Sequence, residues 1–119
     1  MRLIPDEAIP YFENMIYLPM IMTILSKDRS RFENLPLKFN GPYIAFIDDT
    51  MAAVQLDLKQ THDYLRQNQM KLIKGKQEGI FTEYIFIHNG YEDSRNYLSF
   101  RLRNRTEELM NKYFSKEKN

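Results

Sequence analysis

Behind Asn40, Gly41 and Pro42 the chain carries Ile44, Ile47, Met51, Val54, Leu58 and Leu65, spaced by three, four or seven residues. That periodicity puts all six along one stripe of an α-helix, with Phe46 and Ala53 widening it. Pro42 suits the first helical turn, where its missing N–H leaves no gap in the ladder. The sequence therefore predicts a helix over 41–69, and a stripe of this length must be covered by another helix. Burial within its own domain is the first expectation; pairing with a second copy along a helical seam is the alternative.

Upstream, the pattern predicts a kinked helix over 1–28. Asp6 and Glu7 favour its N-terminus, and Pro19 lies inside it. Proline removes a backbone donor and clashes with the preceding turn, so a kink or break near Leu18 is expected, as one bent helix or two stacked ones. The apolar run Met15–Leu25 is shorter than the roughly twenty residues a spanning helix needs, so it reads as core. Asp6, Glu7 and Glu13 stand where a signal peptide would be basic, so no leader is expected. Residues 29–40, in a charged stretch 27–43 that holds Pro36, Gly41 and Pro42, read as a loop pinned to the core by Phe32, Leu35, Leu37 and Phe39.

Residues 70–90 read as a β-hairpin, its strands at Lys71–Lys76 and Ile80–His88 around the turn GKQEG. In the second arm Thr82, Tyr84, Phe86 and His88 alternate with Phe81, Glu83, Ile85 and Ile87; both sets are rich in β-formers. A lone hairpin is marginal in water, so a helix must cover at least one face. A C-terminal helix is predicted over 92–114, with Leu98, Leu102, Leu109 and Tyr113 buried, ahead of a frayed tail at 115–119. The fold class is thus α+β, mainly α. Three or four helices pack with one antiparallel β-hairpin, which lies between the long central helix and the C-terminal helix, in a single domain spanning 1–119.

Of the 119 residues 43% are hydrophobic, enough for a core without disulfides or metal, and there is no cysteine. That composition excludes thiolate zinc sites and cysteine catalysis and suits a reducing, cytoplasmic setting. Behind the net charge of +1 lies an acidic first half and a basic second half. Lys71, Lys74 and Lys76 on the hairpin and Arg101, Arg103 and Arg105 on the last helix are the candidate surface for an anionic partner or nucleic acid. Arg95 is expected to pair with Glu92. The long, partly acidic helix before the hairpin does not match a winged recognition helix. His62 and His88 lie on different elements without metal-ligand spacing, no nucleophile or phosphate-loop motif occurs, and the adjacent carboxylates Asp48-Asp49 and Glu107-Glu108 diverge on their helices. No catalytic residue, metal or cofactor is therefore expected.

The succession of DLKQTHDYLRQNQMKLIKGK, FTEYIFIHNGY and RLRNRTEELM resembles small, functionally uncharacterised proteins of Bacillus-type bacteria and their phages. The resemblance covers the C-terminal two-thirds. It implies a bacterial cytoplasmic protein in which a hairpin ending at Gly90-Tyr91 joins two helices, and it implies no activity. The combined expectation is a non-enzymatic interaction or regulatory module. It would act through protein contacts, with a homodimer possible, nucleic-acid binding as the alternative, and no membrane partner.

Overall fold

The computed structural model describes residues 3–115. After a 3-10 turn at Asp6–Ala8, α1 runs over Ile9–Asn34 and α2 over Gly41–Gln67. Strands β1 (Met70–Glu78), β2 (Phe81–His88) and β3 (Tyr91–Leu98) follow, and α3 (Ser99–Ser115) closes the fold. The architecture is α+β and mainly α, three helices on a three-stranded antiparallel sheet ordered β1-β2-β3. Residues 116–119 of the expected tail lie outside the described residues.

Helix α1 passes through Pro19 without interruption and continues past residue 28, replacing both the expected break and the first part of the expected loop. Burial holds it together across the proline, because Phe12, Ile16, Leu18, Ile21 and Leu25 are all inside. Its last turns gain polar support: Arg29 bonds Asp48 and Glu33 at 2.7 and 2.8 Å, and Arg31 bonds Asp28. What stops the helix is Pro36, which drives the preceding Leu35 to an extended ψ of 143°. Of the four expected anchors Phe32, now inside α1, packs on the core, but the other three do not pin the connection. Leu35, Leu37 and Phe39 are 42%, 37% and 67% exposed, and the segment is tied instead by the Asn40 side-chain amide, which donates to the Phe32 carbonyl at 2.9 Å.

Along the two long helices Phe32 meets Tyr43, Arg29 meets Asp48, Asn14 meets Thr61, and Tyr11 stacks on Tyr64. One number falls as the other rises, so the pair is an antiparallel αα-hairpin. The α2 stripe is consumed there: Ile47, Val54 and Leu65 are buried, with Thr50 and Thr61 among them returning their hydroxyls to the Phe46 and Asp57 carbonyls. Its buried members are core, while Phe46 and Ala53 at its margin stay exposed. The helical segment Asp6–Asn34 is long and apolar enough to cross a membrane by length and composition, its most apolar 18-residue stretch having a mean hydropathy of 1.2. Its largest side chains are packed against α2, the sheet and α3.

The sheet has a third strand where the C-terminal helix was expected to begin. Asn89 and Gly90 both take positive φ, 51° and 84°, and form the two-residue loop of a tight hairpin pairing His88 with Tyr91. Gly90-Tyr91 therefore joins two strands, not a hairpin to a helix. Tyr91, Asp93, Arg95 and Tyr97 lie opposite His88, Phe86, Tyr84 and Thr82 on the helix-facing side of the sheet. Arg95 sits 4.6 Å over the Phe86 ring and bonds Asp93, not the Glu92 expected. Tyr97 meets Tyr84 edge-on, and Phe86 stacks on Phe12 of α1 at 4.4 Å, joining sheet and helix layers.

Helix α3 starts at Ser99, whose N–H and hydroxyl both donate to the Ile80 carbonyl. It buries Leu102 and Thr106, while Tyr113 donates its hydroxyl to Asp57 of α2. The molecule measures 58 × 36 × 21 Å. One core lies between the sheet and the first half of α1; a second lies between α1, α2 and the end of α3.

Candidate functional site

Beside the sheet, α1, α3 and the strands β1 and β2 line an open groove of about 770 Å³. Helix α1 contributes Met15, Pro19, Met20 and Ile24, α3 contributes Met110, and the sheet contributes Leu72 and Tyr84 from its helix-facing side. Where the helices touch, the Thr106 hydroxyl lies 3.7 Å from the Met20 sulfur while bonding the Leu102 carbonyl. Three thioethers in one apolar groove give a surface that can reshape around an occupant. Pro19 has no N–H, so the Met15 carbonyl one turn earlier lacks its helical donor on the same wall.

Charge is confined to three side chains, Lys74, Arg103 and Glu107. Among the described residues neither Lys74 nor Arg103 has a carboxylate within ion-pair distance. Burial pushes the Tyr84 hydroxyl, directly across from Lys74, up from the usual tyrosine range.

The six cations read from the sequence are divided between surfaces. Lys74 and Arg103 share the groove. Arg101 and Arg105 line a separate cleft of about 440 Å³ with Tyr17, Tyr97, Phe100 and Glu13, where Arg105 bonds Glu108 at 2.9 Å. In that cleft burial and then the Glu13 carboxylate push Tyr97 up to about 12. Lys71 stands in the row of Ile87, on the sheet side facing away from the helices. Lys76 lies in a β-bulge opposite Glu83, whose carboxylate takes the Lys76 N–H. The Ser94 hydroxyl and then that N–H hold Glu83 below the usual carboxylate range. His88 Nδ1 bonds the Leu3 carbonyl, so that nitrogen carries the proton. Asp63 near His62 takes Lys59 and Arg66.

The sequence reading missed the groove. Its walls come from residues 15–24, 72–84 and 103–110, and only their tertiary placement makes them neighbours. The available signal was a methionine excess, seven in all, of which Met15, Met20 and Met110 converge here.

Fold and groove together define a small, mainly helical α+β protein with an apolar, cation-rimmed cleft. The chain belongs to the family described as YhjD protein, which matches residues 3–118. The match thus takes in the N-terminal helix as well as the C-terminal two-thirds that carried the resemblance. It is 30% identical to the uncharacterized protein YhjD of Bacillus subtilis (strain 168) over 108 residues, 91% of this chain and 90% of that protein. No solved structure gives a significant match.

Proposed function

We propose that the protein is a non-enzymatic bacterial interaction module, acting in the cytoplasm, whose groove receives an amphipathic helix with acidic flanks from a partner protein. The observation that carries this reading is the pairing of a methionine-lined apolar floor with two cations, Lys74 and Arg103, that lack carboxylate partners among the described residues. A helix laid beside two touching helices packs ridge into groove, and the α1 wall from Met15 to Ile24 offers about 14 Å, or two to three turns. An acidic flank would supply Lys74 and Arg103 with counter-charges, giving register and selectivity.

Nucleic-acid binding draws on the same cations. Their division between the groove, the Tyr97 cleft and the outer sheet face offers a phosphate backbone no continuous track, which favours the protein reading.

A fluorescein-labelled amphipathic peptide with leucines on one face and glutamates flanking it is the probe. Saturable binding is expected, weakened about tenfold when the glutamates become lysines, and abolished by Ile24→Asp, a 38%-exposed position where the fold should tolerate the change. Equal binding of both peptides, or none at millimolar concentration, would contradict the proposal.

A further inference from the structure

The sheet face turned away from the helices carries a pattern that the groove does not use. Its rows, read across β1, β2 and β3, are Lys71–Ile87–Glu92 and Ile73–Ile85–Ser94, then the bulge with Glu83 and Asn96, then Glu78–Phe81–Leu98. Ile73 and Phe81 are 38% and 44% exposed. In the first row the cation stands on one edge strand and the anion on the other, with isoleucine between.

We infer that this face docks on the same face of a second copy. A two-fold axis lying along β2 keeps every row in register and exchanges β1 with β3. Lys71 of each protomer then meets Glu92 of its partner, twice, while Ile85 and Ile87 pack across the axis on their own counterparts. Such self-complementarity is what an isologous interface requires, and two sheets stacked with nearly aligned strands is a standard packing. Glu83 falls near the axis, but its charge is already engaged by the Ser94 hydroxyl, the Lys76 N–H and the nearby Lys76 ammonium. Three strands of this length give a footprint of about 400 Å² per protomer, below the roughly 800 Å² per partner of a standard stable interface. The dimer is therefore weak and concentration-dependent. It leaves both grooves open, since they lie on the opposite side of the sheet.

Sedimentation velocity over a concentration series tests this, with circular dichroism confirming that each variant is folded. The wild type should move from monomer toward dimer as concentration rises, and Ile85→Lys should stay monomeric throughout. Lys71→Glu and Glu92→Lys should each weaken the dimer roughly tenfold, because each places two like-charge pairs at the interface. The double variant carrying both should recover the wild-type curve, because the pairs are re-formed with reversed sign. A wild type that stays monomeric at the highest concentration overturns the inference. So does a dimer that survives Ile85→Lys, or a double variant no better than the single ones.

Discussion

At the scale of single residues, the side chains that organise the molecule are those whose polar ends found partners. Tyr97 is half-buried beside Tyr84, with its hydroxyl at Glu13 and its ionisation pushed up to about 12. Tyr17, Tyr64, Tyr84 and Tyr113 move in the same direction, each first through burial. A raised folded-state pKa means that the unfolded chain loses its proton first as pH rises. The stability these rings contribute is complete below the ordinary tyrosine value near pH 10 and is lost as pH climbs through the folded values. Melting temperature measured from pH 9 upward should fall across that window, and Tyr97→Phe should make the fall between pH 10 and about 12 shallower. At the acid end the sign reverses. Asp48, Asp63 and Glu83 sit below their usual values through hydrogen bonds to Arg29, Lys59 and Ser94, so their contribution disappears as pH falls through the carboxylate range.

At the scale of elements, the β2–β3 hairpin shows how local chemistry sets topology. Asn89 and Gly90 occupy left-handed backbone, which glycine reaches without strain and alanine does not. Gly90→Ala should destabilise the protein by about 1 kcal/mol in urea unfolding, although open space surrounds the position. That dipeptide was the readable sign of a third strand. The carboxylates of Glu92 and Asp93 suggested a helix N-terminus instead, and the alternation Tyr91, Asp93, Arg95, Tyr97 is too polar to register as a strand. It works as one because Arg95 lies on Phe86 and pairs with Asp93, contacts that exist only once β3 is in place. Helix α2 was legible, with its start at Gly41 and its end two residues short of the expected one, because its stripe is local. The continuity of α1 through Pro19 was not, since the burial that holds the helix across the proline is supplied by other elements. The same limit applies to the site: the two cations of the groove were among the residues singled out, but their apolar floor is assembled from three distant segments.

For the whole molecule, a thin body 21 Å across presents two sides of different character, a methionine-lined groove toward the helices and a charge-patterned sheet face behind it. A dimer formed through the second would carry two copies of the first, so a partner offering two helices would bind with avidity beyond either groove alone. The central claim is that the groove is the docking site, and the methionines report on it directly. Methyl NMR of the methionine-labelled protein, titrated with the glutamate-flanked peptide, should shift the Met15, Met20 and Met110 signals and leave Met51 and Met70 in place. Unmoved groove methyls at saturating peptide, or equal shifts at all five, would contradict the account.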